Sequence, residues 1–228
     1  MEPEALNGKP PMIRIDPVRW IAKPAVFAAA SSPFVWLAGS FVLAPDALGA
    51  NPIEYAIRFC GDWALRFLLI SLCVTPVNEI LSAPVVMRFR RMLGLFAFFY
   101  AFLHLAAYVG LDQFFDFAAI WEDIVKRRYI TIGMLGFALL VPLAITSTKG
   151  WIRRLTAPRW IRLHKLVYPA AIAACVHYFM MVKADIREPL IYGAILATLL
   201  GYRYVARTRR RIRRRRRKAT MAAAAQGG

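Results

Sequence analysis

Six stretches of this chain are each apolar over the length that a membrane-crossing helix needs: residues 24–44, 63–82, 92–111, 129–147, 163–183 and 189–206. A hydrocarbon core of about 30 Å takes about 20 helical residues, and its interior demands that every backbone polar group be satisfied within the segment. No period-two alternation runs through the chain, so a membrane β-barrel is not expected. The expected fold is an all-α integral membrane protein of six transmembrane helices. Short connectors rich in Pro, Asp, Arg and Lys join the stretches, leaving no room for a second domain. The chain divides into a segment 1–23, the helical body 24–206, and a polybasic tail 207–228 expected to be disordered.

Composition enters where it conflicts with this picture. The formal net charge is +18 although 59% of the residues are hydrophobic. The conflict dissolves once the charge is located: 11 of the 31 Lys and Arg lie between Arg203 and Lys218, without an acidic residue among them. A basic run beside a span is a topology anchor lying on anionic lipid headgroups. Nothing aromatic interleaves the arginines, so no nucleic-acid partner is expected. Cys60, Cys73 and Cys175 form no CxxC and make no disulfide framework. The first 20 residues contain acidic residues and prolines but no short apolar run before a cleavage site, so the first span is expected to be retained.

Basic residues also set orientation. With both termini cytoplasmic, 24 of the 31 Lys and Arg fall on the inner side and 7 on the outer. Cytoplasmic loops carry the excess of Lys and Arg, so a multi-pass protein of a bacterial inner membrane with both ends inside is expected.

The chemistry lies in three histidines, His104, His164 and His177, all within expected spans. Ionisable side chains at membrane depth are rare and are functional candidates by default. At about 1.5 Å per residue, His104 lies about 20 Å along its span and His177 about 21 Å along its own, both counted from the cytoplasmic side. Two imidazoles at matched depth on facing helices can supply both axial ligands of one haem iron. The expected haem therefore sits between the third and fifth helices. Ala97, Ala101 and Ala107, with Ala170, Ala173 and Ala174, form small-residue stripes beside the two histidines; a haem slot is preferred there to plain helix packing. His164 lies near the cytoplasmic end, about 220° of helix rotation from His177, unless Pro169 distorts the helix. A second haem with another partner, a quinone or flavin contact, and an interfacial position are equal readings for it. Arg66, on the outer side, and Arg91, on the inner, are candidates to pair with haem propionates; lipid snorkelling and ordinary inner-side charge are the plain alternatives. There is no HExxH, no Cys/His cluster, no GxGxxG and no Walker loop, so other metals and a resident nucleotide domain are not expected.

The stretches GDWALRFLLISLCVTP (61–76), RRMLGLFAFFYAFLH (90–104), TSTKGWIRRL (146–155) and WIRLHKLVYPAAIAACVHYFMMVKAD (160–185) closely resemble the MsrQ family, formerly YedZ, over roughly residues 55–205. Its wider relatives are the ferric-reductase-like transmembrane domains. The resemblance implies six membrane helices holding b-type haem, one or two groups. It implies electrons carried from the quinone pool to MsrP, a periplasmic molybdenum-cofactor reductase that repairs oxidised methionines. An FMN is also associated with the family, although no motif here identifies its residues. The family's histidines map onto His104, His164 and His177. Two-haem relatives place two histidines on each of two helices, whereas the third span here has one, which leaves the second site open. The role implied is an electron-transfer subunit rather than the sulfoxide-reducing subunit. The alternatives are a stand-alone quinol-dependent ferric or oxygen reductase, or a non-redox membrane assembly protein.

Overall fold

Proline, rather than glycine or charge, shapes these helices, because each proline inside a span leaves one carbonyl without its usual N–H partner. The computed structural model describes residues 16–182 and 184–226. Residues 1–15 of the expected segment 1–23, the Lys183 end of the fifth stretch and the final two residues lie outside them. Among the described residues there is no strand, and the helices run α1 (Val18–Leu43), α2 (Pro52–Leu81), α3 (Arg90–Asp112), α4 (Phe117–Lys126), α5 (Arg128–Ile145), α6 (Lys149–Leu155), α7 (Ala157–Leu163), α8 (Val167–Met181) and α9 (Arg187–Gln226). The molecule is a multi-pass all-α membrane protein. Its outer surface carries large apolar side chains such as Val35, Val42 and Leu135, each more than half exposed, as suits contact with lipid.

In α1, Pro33 frees the Ala29 carbonyl, which accepts from Ser32 Oγ at 2.9 Å. One residue on, the hydroxyl of the fully buried Tyr100 inserts into the ladder, accepting from Phe34 N–H at 3.1 Å and donating to Ala30 O at 2.8 Å. In α2, Pro76 frees the Leu72 carbonyl, and Arg203 of α9 reaches across to donate to it at 2.6 Å. Pro76 thus creates the acceptor through which α2 is tied to α9, and beside Pro33 the Tyr100 hydroxyl ties α1 to α3.

Among the described residues, five helices are long and apolar enough to cross a membrane: α1, α2, α3, α5 and the Arg187–Arg213 part of α9. The fifth expected stretch is broken. A 3-10 turn at His164–Leu166 interrupts it between the end of α7 and an α8 of 15 residues. That is about 22 Å of helix, short of the bilayer core. Helix α2 starts 11 residues before the expected Trp63, capped by Asn51, which accepts from Glu54 N–H. Its charges do not stop the helix because they pair along it, Glu54 with Arg58 at 2.6 Å and Asp62 with Arg66 at 3.9 Å. Where a disordered tail was expected, α9 continues through the arginine run to Gln226. Arg, Lys and Ala are strong helix formers, so a helix launched inside the membrane has no local reason to stop.

The core forms around two closely packed pairs, α2 with α3 and α5 with α8, with α9 against both. Leu65, Phe67, Leu68 and Leu72 of α2 meet Phe96, Ala97 and Tyr100 of α3, and Ala170 and Ala171 of α8 join the same cluster. Phe67 stacks on Tyr100 at 5.4 Å and 18°.

Candidate functional site

The two helix pairs each present one histidine to the same place. His104 of α3 and His177 of α8 lie with ring centroids 6.1 Å apart and planes at 77°. Each ring is half-buried and each is held by its Nδ1. His104 Nδ1–H donates to Ile57 O of α2 at 2.8 Å, and His177 Nδ1–H donates to Tyr129 O of α5 at 2.6 Å. A carbonyl only accepts, so these bonds put the proton on Nδ1 and leave the Nε2 lone pair for a ligand's metal. Two metal–imidazole bonds of about 2 Å plus two ring radii of about 1.1 Å would put centroids about 6 Å apart. The centroid spacing matches what one metal shared by the two rings would require, and the two carbonyls are partners of the kind that orient such ligands and raise their basicity.

The sequence reading missed what makes these bonds reachable. A Cβ on Gly61 would lie 3.0 Å from His104 Nδ1, and one on Gly133 would lie 2.8 Å from His177 Nδ1. Each glycine stands four residues after the accepting carbonyl, Gly61 after Ile57 and Gly133 after Tyr129. On a helix that spacing puts the carbonyl and the bare Cα on one stripe. The repeated device is a glycine-floored seat in which an imidazole lies against a neighbouring helix backbone. Gly133 inside an apolar stretch and Gly61 just before one were the sequence signal, and by itself it says nothing about which helix lies opposite.

The alanine stripes divide. Ala97, Ala170 and Ala173 are buried, and Ala173 Cβ lies 3.4 Å from the position a Cβ on Gly136 would take, so these serve close helix approach rather than a slot. Ala101, Ala107 and Ala174 stay half-buried beside the histidines.

His164 is not brought to the pair. It sits in the 3-10 turn, stacked on Trp160 with centroids 3.7 Å apart, with Nδ1 bonded to Trp160 O at 3.1 Å and Nε2 3.5 Å from Ser147 Oγ. It lines a cavity of about 530 Å³ at the other end of the bundle, together with Arg90, Arg91 and Arg203. Arg66 is engaged elsewhere: Nε donates to Tyr192 OH at 2.9 Å, and the guanidinium lies 5.0 Å from the centre of the Trp63 ring.

Known proteins resemble this chain over most of its length. The family described as "Ferric reductase like transmembrane component" matches residues 60–175. A curated protein of Rhodospirillum rubrum named "Protein-methionine-sulfoxide reductase heme-binding subunit MsrQ" is 56% identical over 191 residues, 84% of this chain and 91% of its own length. Proteins of the same name from Caulobacter vibrioides (51% identical over 178 residues, 78% of this chain and 84% of theirs) and Xanthomonas euvesicatoria (51% over 191 residues, 80% and 85%) are similar in the same way.

Proposed function

Because the chain belongs to the MsrQ family of the ferric-reductase-like transmembrane superfamily, we propose that it is the haem b membrane subunit of a protein-methionine-sulfoxide reductase system, with His104 and His177 as axial ligands between the third and fifth spans. The observation that carries this reading is the facing pair at 6.1 Å, each ring fixed through Nδ1 to a backbone carbonyl. Haem iron supplies one-electron transfer in such a site. The chain's own residues do the rest. Ile57 and Tyr129 hold the tautomer, Gly61 and Gly133 let the rings reach them, and the packed helices around them keep water out. That arrangement favours rapid electron exchange, because the ligands are already in place in either oxidation state.

Electrons enter from quinol at the cytoplasmic end and leave from the outer haem to a periplasmic molybdenum-dependent partner, MsrP. The protein lies in a bacterial inner membrane with both termini in the cytoplasm. Supporting this direction are the 24 of 31 basic residues on the expected inner side and the matched depth of the two histidines from it. His164, at the cavity with Arg91, is the candidate for a second haem or for the FMN that the family resemblance implies. Arg66 remains a propionate candidate through the donors that Tyr192 does not use.

The test is a reduced-minus-oxidised absorption spectrum of purified protein with haem counted per chain. His104→Ala and His177→Ala should each abolish the b-type bands of the outer haem while the protein remains inserted. Full haem in both variants overturns the ligand assignment. Rapid reduction of Fe(III) or oxygen by the purified chain with no partner present would instead favour a stand-alone reductase.

A further inference from the structure

Helix α4, at the histidine end of the bundle, carries an exposed apolar face. Phe117, Trp121 and Val125 are each more than half exposed, and the turn before the helix adds Phe114 and Phe115, exposed to the same degree. Large contiguous apolar patches on a folded surface mark contact with another body. The connections of α4 limit what that body is. Four residues, 113–116, separate it from α3, and Arg127 alone separates it from α5, so two membrane-crossing helices hold it at the level of their ends. Its flank is pinned to the bundle as well. The Tyr108 hydroxyl of α3 donates to Asp123 Oδ2 at 2.9 Å, Arg127 Nε pairs with Asp123 Oδ1 at 2.9 Å, and Thr131 of α5 donates to the Ile124 carbonyl.

Three arcs follow one another around this helix. Ile120, buried, and Ile124, half-buried, turn to the bundle. At about 100° per residue, Phe117, Trp121 and Val125 are centred about 80° round from them, and Glu122 and Lys126 about 120° further on in the same sense. Those last two are an ion pair one turn apart. A helix lying along a membrane surface with the bundle at its flank has lipid beneath it and water above. Bundle, apolar and charged arcs in that order match this placement, whereas the opposite roll would press the ion pair into hydrocarbon. A water-soluble electron acceptor fits the face less well, because it must leave after each exchange and would bare the aromatic rings to water each time.

We propose that α4 lies in the plane of the membrane surface at the histidine end, with Phe117, Trp121 and Val125 covered by phospholipid and Glu122 and Lys126 in water. Amphipathic helices bind at the headgroup boundary in this way, and tryptophan is enriched at that level. The helix so anchored leads directly into the seat of His177, since Tyr129, three residues past the end of α4, accepts its Nδ1–H.

The experiment places single cysteines on α4 of the full-length chain, in nanodiscs of phosphatidylethanolamine and phosphatidylglycerol, and measures alkylation by a charged maleimide. The natural chain, with Cys60 and Cys175 buried and Cys73 half-buried, supplies the background rate. Trp121 and Val125 are 68% and 65% exposed, and the side chains of Glu122 and Lys126 are 59% and 69% exposed, so a difference in rate reports the membrane rather than the fold. Only the thiolate reacts, and each unit by which removal from water raises a thiol's pKa slows it about tenfold. Alkylation about tenfold or more slower at Trp121→Cys and Val125→Cys than at Glu122→Cys and Lys126→Cys is expected. Equal rates on the two arcs overturn the proposal. Benzophenone-alanine in place of Trp121 identifies the cover. Irradiated in vesicles of the same two lipids, it should give an adduct of phospholipid mass, and the same group in place of Glu122 should give none. An adduct at 121 only with a second copy of this chain, or equal lipid adducts at 121 and 122, overturns the proposal.

Discussion

A Cβ placed 2.8 Å from His177 Nδ1 cannot be accommodated without moving the ring, and one at 3.0 Å from His104 Nδ1 barely can. Gly133→Ala should therefore disturb its histidine more than Gly61→Ala, by breaking the bond to Tyr129 O that fixes the ligand. The expected readout is a displaced reduction potential and altered low-spin haem signals in both variants, larger for Gly133→Ala, in a redox titration followed by optical and paramagnetic resonance spectra. Gly136→Ala is the control, since its Cβ would meet Ala173 Cβ at an ordinary 3.4 Å. Identical potentials in all three would show that the glycines only allow helix packing. Tyr100 makes a second claim at this scale. Its hydroxyl is inserted between Phe34 N–H and Ala30 O, and Tyr100→Phe leaves an N–H and a carbonyl apart with nothing between them. A loss of about 1–3 kcal/mol is expected, the usual cost of stranding buried partners, measured as a fall in thermal unfolding temperature in detergent.

Helix identity was legible in the sequence because apolar length is a local property, and the histidines were legible because ionisable groups at membrane depth are few. Helix ends were not. The start of α2 depends on Asn51 capping and on charges that pair four residues apart, and the end of α9 depends on the helix propensity of an arginine run that hydropathy treats as a boundary. The break before α8 is the 3-10 turn at His164–Leu166, and α7 before it starts from Thr156 at a positive φ, neither of which composition announces. The paired glycines were invisible for a different reason: their meaning lies in the partner helix, and pairing is not a property of one segment. One element boundary carries a pH prediction. Asp16 opens α1 by accepting from Val18 N–H, and the hydrogen bond from Arg88 holds its carboxyl below the usual carboxylate range, with burial opposing the shift. A carboxyl whose folded value is depressed contributes above its unfolded value of about 4, and that contribution is lost as pH falls through the lower folded value. Amide-exchange protection of the first turn of α1, corrected for intrinsic rates, should therefore hold at pH 5 and decline below about pH 4. Asp16→Asn should show the reduced protection at every pH; a pH-dependence unchanged in that variant would remove Asp16 from the account.

At the scale of the whole molecule the two candidate sites are separated along the bundle, and which end faces the cytoplasm decides which of them meets quinol and which the periplasm. The arginine run favours that orientation, and the basic residues of the loops favour it without the run. Helix α9 has 40 residues, about 60 Å at the helical rise, twice the bilayer core, so its basic half extends beyond the span it follows. Replacing the ten basic residues of 207–218 with glutamine would still leave 14 Lys and Arg on the inner side against 7 outside. Residues near the ends of spans dominate topology, and Arg88, Arg90, Arg91 and the six bases from Lys149 to Lys165 are placed there. The orientation should therefore survive loss of the tail charges. Alkaline phosphatase, active only outside the cytoplasm, is expected to be active when inserted in frame after Gln113, between α3 and α4, with the remaining chain following it, and inactive when inserted likewise after Thr148, between α5 and α6, in both the natural and the glutamine-tailed chain. Activity at Thr148 in the natural chain would invert the molecule, placing the histidine pair inside and the arginine-lined cavity outside. Activity there only in the glutamine-tailed chain would make the tail, rather than the loops, the element that holds the bundle in its orientation.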